Sequence, residues 1–516
     1  MSPNSSGNNA SAADAAELAQ GAAVSVFGRV SGRGLLLLTQ VTIGRLFGPE
    51  AFGLYAVGWT VLRLTGLVSL LGMDTALVRY GARSRIVAPG SLRQVVGLGI
   101  GIPVALGALL GGSIYLAAPT LASSAFHKPE LEPVLRWFSL GIAASAGMQA
   151  AAAATRISKQ MKYAVLSEDL THPALGLALV LLFAWLGWGI GGAAAASVLS
   201  LMTGMGVALF FVRRLSPPSS AQPTPVGRLA KDLMGFSLTI FGSRFFITVI
   251  TWIDRLVLGS FRPAAEVGIY QAAAQSSALF AIILGAFINI LSPIAADLWH
   301  RSELARLQEV FRTSTKWGLY LSLPLAVVMW SAPHQILSVV FGPAYVRGAV
   351  PLMLLAGGQL INAATGGVGL LLSMTGHHVI WARTTGAMLG LDVLLNLFLV
   401  PRLGLVGAAI ATSVTVSAVF LMGLYQVRRL LGMWPYDRRY LKGLAAAACS
   451  AGTAYLVGPW AAGGSWLGLG VLTLAVVAVF GGVLLVLGPE AEDREFLGLI
   501  RSRLGRAAGS SGADSR

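Results

Sequence analysis

Fourteen stretches of predominantly apolar residues follow one another along this chain, separated by short polar segments, and that succession constrains the fold before anything else does. A helix needs about 20 such residues to cross a bilayer, and hydrocarbon demands that a crossing segment satisfy its own backbone hydrogen bonds. The stretches lie near 21–45, 52–77, 94–119, 133–154, 163–186, 189–212, 233–257, 266–294, 314–340, 348–373, 379–400, 404–427, 440–460 and 466–488. Charged residues make up only 11% of the 516 positions, against roughly 25% in soluble domains. The 63 glycines suit close helix packing in lipid. The expected fold is an all-α membrane protein of about fourteen transmembrane helices.

Lysine and arginine alternate between rich and poor loops. Arg79, Arg83, Arg85 and Arg93 follow the second stretch, Arg213, Arg214, Arg228 and Lys231 the sixth, and Arg428, Arg429, Arg438, Arg439 and Lys442 the twelfth. Trp185–Gly191 and Gly458–Ser465 hold no basic residue. Basic loops stay inside, so even-numbered helices exit to the cytoplasm, both termini are cytoplasmic, and the chain sits in the cell membrane. The net charge of +16 is dispersed among these loops and gathers on no single face, which excludes nucleic acid as a partner. Residues 1–20 read as a disordered cytoplasmic tail and 490–516 as a second one. The lone Cys449 permits no disulfide within the chain. Six histidines fall without metal spacing, and no nucleotide-binding loop or nucleophile motif is present, so the chain reads as a transporter with no cofactor and no enzymatic activity.

The chain repeats itself at an offset of 215 residues. Arg29 pairs with Arg244 (244 − 29 = 215), Gly53 with Gly268, Tyr55 with Tyr270 and Phe126 with Phe341, and Val212-Arg213-Arg214-Leu215 recurs as Val427-Arg428-Arg429-Leu430. Each unit holds six stretches, an even number, so both enter the membrane in the same sense, with a substrate site expected where they meet. The domains are an N-lobe at 21–215, a cytoplasmic linker at 216–231 (Pro/Ser-rich to Pro225), a C-lobe at 232–430 and a final helix pair at 431–489.

Arg45-Leu46-Phe47-Gly48-Pro49-Glu50-Ala51-Phe52-Gly53-Leu54-Tyr55, followed by Gly72-Met73-Asp74-Thr75-Ala76-Leu77-Val78-Arg79-Tyr80, resembles the opening of Wzx-type oligosaccharide flippases. Asp254-Arg255 running into Glu266-Val267-Gly268-Ile269-Tyr270, together with Phe341-Gly342-Pro343-Ala344-Tyr345, is similar to later blocks of the same proteins. These flippases belong to a superfamily with multidrug and toxin extruders and lipid II flippases. The resemblance implies two pseudo-symmetric six-helix lobes in a V around a central cavity. It also implies a polyprenyl-diphosphate-linked oligosaccharide as cargo, turned from the cytoplasmic to the outer leaflet by alternating access in envelope polysaccharide assembly. Membrane lipids and other assembly proteins are the partners it implies.

The first stretch carries Ser25, Arg29, Arg33 and Gln40 within a stripe of about 80°, given about 100° per residue. Each arginine facing lipid at mid-membrane would cost roughly 2.5–3.5 kcal/mol, so Arg29 and Arg33 are expected to face an aqueous cavity. Arg63 in the second stretch and Arg244 in the seventh add cations, and Arg255 follows Arg244 on the same helix. The planar guanidinium gives a diphosphate paired, charge-assisted hydrogen bonds and never deprotonates. Arg29, Arg33, Arg63, Arg244 and Arg255 are therefore the candidate substrate-binding cations. Gln271 and Gln275, with Asn289 further along, are candidates for sugar hydroxyls.

An ion-driven transporter needs a titratable or cation-binding group in the membrane. Asp392, one turn from Asn396, Asp254 beside Arg255, and Glu168, one turn from His172 and near Lys162, are the coupling candidates for a Na+ or H+ gradient. Asp74 is expected to pair with Arg79. A cation-coupled multidrug antiporter is the nearest alternative and a membrane-embedded polymerase or glycosyltransferase the third. An arginine-rich cavity argues against the first, and uniformly short outward loops against the second.

Overall fold

The computed structural model describes residues 5–87, 91–158, 160–215, 226–461 and 465–488, with most side chains from Gly28 onward. The expected tail at 490–516 and linker residues 216–225 lie outside the described residues, as do the side chains of Ser25 and Asn289. Within them all regular structure is helical.

Helix α1 (Ser5–Leu70) carries two expected spans in one run, broken at Gly48, whose φ of 78° only glycine adopts without strain, with Pro49 opening the second limb. Its start is a correction: residues 5–20, expected as a disordered tail, are helical, in keeping with alanine at 10, 12, 13, 15, 16 and 19. Helices α2 (Met73–Val87), α3 (Leu92–Thr120) and α4 (Leu131–Arg156) follow. Next come α5 (Met161–Ala164), a π-helical segment Val165–Thr171 continuing into α6 (His172–Trp185), and α7 (Gly189–Leu215). Helix α8 (Val226–Phe261) begins inside the expected linker, so residues 226–231 belong to it. Helices α9 (Ala264–Ser277), α10 (Leu279–His300), α11 (Leu304–Ser331), α12 (Pro333–Val340) and α13 (Ala349–Thr365) follow. The chain then runs through α14 (Val368–Met374), α15 (His378–Leu403), α16 (Leu405–Leu431), α17 (Tyr440–Ala461) and α18 (Trp466–Val486).

The 215-residue offset reappears in the elements and in their side-chain contacts. Pro49 opening the second limb of α1 corresponds to Ala264 opening α9 (264 − 49 = 215), and Gly189 opening α7 to Gly404 just before α16 (404 − 189 = 215). Inside each half a tyrosine hydroxyl meets a hydroxyl 142 residues later, Tyr55 with Ser197 at 2.8 Å and Tyr270 with Thr412 at 3.5 Å.

The halves meet at Gly53 and Gly268. A Cβ on Gly53 would stand 1.8 Å from the Ala264 carbonyl oxygen, and one on Gly268 would stand 1.9 Å from that of Pro49, so only glycine lets these backbones approach. Crossed bonds flank the contact: Lys128 donates to the Gly259 carbonyl, and the Tyr345 hydroxyl to that of Gly44 at 2.7 Å. Gly44 and Gly259 are again related by the offset (259 − 44 = 215). Phe52 stacks on Phe341 at 6.1 Å beside them. Toward the other end of the molecule, α2 lies along the first turns of α8, with Leu70, Met73 and Leu77 buried against Leu229 and Leu233. The last pair, α17 and α18, packs on itself through Ser450 and the Val476 carbonyl, and on α11 through Tyr320 and Phe480.

Leu109, Leu116, Leu394, Phe398, Tyr455 and Leu474 point outward and are well exposed, the surface expected of a protein whose solvent is lipid. Nine helical runs among the described residues are long and apolar enough to cross a membrane, or ten if α11 and α12, bent by 87°, count as one span. The expected count was fourteen. One qualifying run, Gly28–Arg85, joins two expected spans, and α4, α8 and α17 are absent from the set. Helix α4 is buried along most of its length by small residues, and α8 carries Arg244, Asp254 and Arg255 in its interior.

The Gly53–Gly268 contact makes a direct prediction. Alanine at either position inserts a methyl where no space exists, an overpacking worth about 1–3 kcal/mol. In a Cys449→Ser background, which removes the exposed native thiol, a cysteine probe replacing Ala51 should react faster with a hydrophilic maleimide once Gly53→Ala is added. An unchanged rate would mean that the contact does not hold this end shut.

Candidate functional site

Four of the expected cations lie on α1 and α8: Arg29 and Arg33 on the first limb of α1, Arg63 on its second, and Arg244 on α8. Arg33 on α1 donates from Nη1 to the Ala281 carbonyl of α10 at 3.1 Å, and Gly285 beneath it leaves room for the guanidinium. Gly28 and Gly32 on α1 fit against the π-helical segment: a Cβ on Gly32 would stand 2.2 Å from the Asp169 carbonyl oxygen, and one on Gly28 2.0 Å from Val165 Cγ1. That fit brings Arg29 and Arg33 into the field of the Asp169 carboxylate, which Arg156 and Glu168 also share. Arg63 sits mid-way along the second limb and is nonetheless exposed. Its guanidinium lies 5.8 Å from the Trp252 ring of α8 and feels the charges of Glu168 and Arg244. Arg63 thus lies on an apolar helix toward α8 and the charged side chains of its own protein, an arrangement that offsets the cost of an arginine within a span. Arg244 Nη1 bonds Asp74 Oδ2 at 2.6 Å.

Other expectations are corrected. Arg255 does not face open space: only 7% of its side chain is exposed. It bonds Asp254 Oδ1 at 2.7 Å and Gln271 Oε1 at 2.9 Å and lies 4.7 Å from the Trp252 ring. Tyr270 and Thr412 donate to Asp254 Oδ2. Because an arginine buried mid-helix must be neutralised where it stands, Arg255, Asp254 and Gln271 form one buried network inside the C-terminal half, with Gln271 Nε2 left without a partner among the described residues. Gln275 lies instead on the wall of an apolar cavity of about 360 Å³ bounded by Leu37, Leu279, Leu325, Met329 and Leu469. Glu168 pairs with Arg156 at 3.1 Å, so neither Lys162 nor His172 is its partner, and His172 Nδ1 meets Ser200 Oγ at 2.9 Å. Asp74 pairs with Arg244 across the halves, while Arg79 lies 4.3 Å from the Phe236 ring.

Asp392 is fully buried, and among the described residues no cation pairs with it; the side chains of Thr415 and Asn396 are the groups that stand at its carboxylate. Asn396 Oδ1 is buried without a partner, and Asp254 lies within the field of Asp392. The corresponding region of the N-terminal half is neutral: Thr39, Gln40, Ser197 and Ser200 stand 215 residues before Asp254, Arg255, Thr412 and Thr415. Gln40, Tyr55, His172 and Ser200 line an enclosed space of only about 10 Å³ there.

A second cavity, of about 680 Å³, lies beyond the Gly53–Gly268 contact between Glu50, Phe126, Lys128, Glu130 and Arg262. Burial holds the Lys128 ammonium below its ordinary range, against the opposing pull of Glu130. Arg156 is the site residue that sequence reasoning missed, its only signal a place at the end of the fourth stretch, whereas Asp169 is one of the few carboxylates within the apolar stretches and so a coupling candidate by sequence.

This fold and this charged interior define a multi-span membrane transporter. Residues 18–299, just over half of the chain, match the family described as "Polysaccharide biosynthesis protein", and the chain belongs to that family; residues 240–397 also match the MatE family. Among curated relatives, the chain is 25% identical to "Probable low-salt glycan biosynthesis flippase Agl15" of Haloferax volcanii, over 43% of this chain and 47% of that one. It is 24% identical to "Succinoglycan biosynthesis transport protein ExoT" of Rhizobium meliloti, over 66% of each. The match therefore spans about half to two thirds of those relatives' length. Among solved structures, "Lipid II flippase MurJ, inward closed conformation" superposes with a TM-score of 0.70 over 89% of this chain and 97% of that one, at 12% identity. An inward-facing MATE family multidrug transporter gives 0.60 over 79% and 98%, at 17% identity. The fold is thus that of MurJ and the MATE transporters, and the family is one of flippases and transporters, not enzymes.

The two kinds of arginine make opposite predictions for stability. Asp254→Asn strands a buried guanidinium and should cost about 3–5 kcal/mol, whereas Arg244→Ala removes a half-exposed pair worth about 1 kcal/mol or less. Thermal unfolding followed by tryptophan fluorescence in detergent should separate them clearly. Equal shifts would contradict the buried assignment of Arg255.

Proposed function

We propose that this chain is a flippase carrying a polyprenyl-diphosphate-linked oligosaccharide from the cytoplasmic to the outer leaflet for envelope polysaccharide assembly. In this reading fourteen helices cross the cell membrane, both termini are cytoplasmic, and two six-helix lobes rock about the Gly53–Gly268 contact. The accessible Arg63, set among Arg29, Arg33 and Arg244 on facing helices, is the observation that carries it. A diphosphate concentrates charge that such a group of guanidinium ions stabilises through short hydrogen bonds. Next to it, the apolar cavity bounded by Leu37, Leu325 and Leu469 suits a polyprenyl chain, with Gln275 at its wall. A MATE-type antiporter for cationic drugs shares the fold, but a cationic chamber repels such cargo.

Mass spectrometry of polyprenyl-diphosphate lipids tests this directly. Cells lacking the protein should accumulate a completed lipid-linked oligosaccharide, cured by the intact chain and not by an Arg63→Ala variant or an Arg29→Ala/Arg244→Ala double variant. Complementation by both variants at normal abundance would overturn the role of these arginines. An unchanged lipid pool, with drug export lost instead, would favour the antiporter.

For coupling, we assign the cation to the region around Asp392, a buried carboxylate that no arginine or lysine among the described residues neutralises, with Asp254, Asn396 and Thr415 around it. A Na+ or H+ bound there would offset a carboxylate that is otherwise costly to bury. Asp392→Asn should abolish any dependence of transport on the Na+ or pH gradient in proteoliposomes while leaving thermal stability equal or higher, since it removes an unpaired buried charge. Gradient dependence that survives the substitution would exclude Asp392.

A further inference from the structure

We infer that Asp74 stands in for the substrate anion in the empty protein, and that its bond to Arg244 is a latch which only a strongly charged headgroup releases. The inference rests on the flippase reading and adds to it a residue that sets specificity. Asp74 is the second residue of α2 and Arg244 lies within α8, so their 2.6 Å bond ties one half to the other. The joint is close-packed around it. A Cβ on Gly72 would stand 3.0 Å from the Ser237 carbonyl oxygen, and Ser237 Oγ lies 3.6 Å from Met73 Sδ. Moving α8 away from α2 therefore requires this bond to break.

The two partners are unlike in a way that favours exchange. Asp74 is 15% exposed, and its second oxygen, Oδ1, is buried without a partner; Arg244 is 48% exposed and open to an incoming ligand. A pair with one partner in water is held weakly, by about 1 kcal/mol or less, so an anion that grips Arg244 better displaces the carboxylate. Arg63 lies within the field of Arg244, so a diphosphate at Arg244 also gains from Arg63, and this added attraction offsets the lost bond. A membrane phosphodiester carries a single charge and gains less. Competition raises the concentration at which any anion binds Arg244, and that penalty suppresses the weak but abundant phospholipid while leaving the multiply charged substrate bound. Specificity thus arises from an occupant that must be evicted.

The test uses the full chain in nanodiscs, with undecaprenyl diphosphate and phosphatidylglycerol as probes. Binding is read by native mass spectrometry and the α2–α8 separation by spin labels at Arg83→Cys and Lys231→Cys in the Cys449→Ser background. The wild type should bind the diphosphate lipid and widen with it, and should remain closed with phosphatidylglycerol. Asp74→Asn, or Asp74→Ser should the first variant misfold, should tighten diphosphate binding about ten-fold and should let phosphatidylglycerol alone widen the spin-label distance. Asp74→Glu should behave as the wild type, and Asp74→Asn should add nothing to Arg244→Ala. Wild-type binding that Asp74→Asn leaves unchanged, or a tightening that persists without Arg244, overturns the latch alone. Failure of the wild type to bind undecaprenyl diphosphate overturns the flippase reading and the latch together.

Discussion

Everything in this molecule is arranged about two glycines whose backbones touch. Gly53 and Gly268 occupy equivalent positions of the two repeats, and each would drive a side chain into the partner segment's carbonyl. In lipid no hydrophobic force presses helices together, so close contact must come from shape and van der Waals packing. Here the closest approach falls at one point between the halves. The crossed bonds from Lys128 and Tyr345 to the Gly259 and Gly44 carbonyls tie the halves on either side of that contact. Arg63 lies on the same limb as Gly53, and Arg29, Arg33 and Arg244 lie on the adjoining helical segments.

The two repeats have diverged in what they bury. In the N-terminal half Gln40, Tyr55, Ser197 and Ser200 make a neutral set around a space large enough for about one water. At equivalent positions the C-terminal half buries an aspartate and an arginine, with Asp392 added beside them. The Asp254–Arg255 pair is satisfied by Gln271, Tyr270 and Thr412, and it stabilises only while complete. Asp392 is different, because only the neutral side chains of Thr415 and Asn396 stand at its carboxylate and no arginine or lysine among the described residues balances its charge. On the proposed reading, this unbalanced charge in one half gives a bound cation one lobe to act on.

Much of the fold was legible because lipid imposes so simple a rule. Long apolar stretches, the basic loops and a constant offset through Arg29, Gly53 and Tyr55 pointed to a duplicated helical membrane protein, and the structure has that architecture. What was illegible depended on neighbours distant in sequence. Asp254 beside Arg255 is a local signal for the pair the structure shows, but nothing local says that Arg244, on the same helix, reaches Asp74, 170 residues away. Glu168 was read by its spacing to His172, but a π-helical segment changes which side chains share a face, and Arg156 became its partner. The same segment places Asp169 within the field of Arg29 and Arg33.

The carboxylates among the arginines also answer a difficulty that any carrier of anions faces. A chamber lined only by guanidinium ions would bind a diphosphate tightly and release it slowly, and transport needs binding weak enough to leave. Asp169 lies in the field of Arg29 and Arg33, Glu168 acts on Arg63, and Asp74 holds Arg244. These acids give the arginines a partner in the empty protein, so departing substrate leaves behind paired charges instead of bare ones. On the proposed reading the depth of the binding site is thereby reduced without loss of its sign. A neutral or cationic molecule still finds no advantage there, and an anion finds one just large enough to enter.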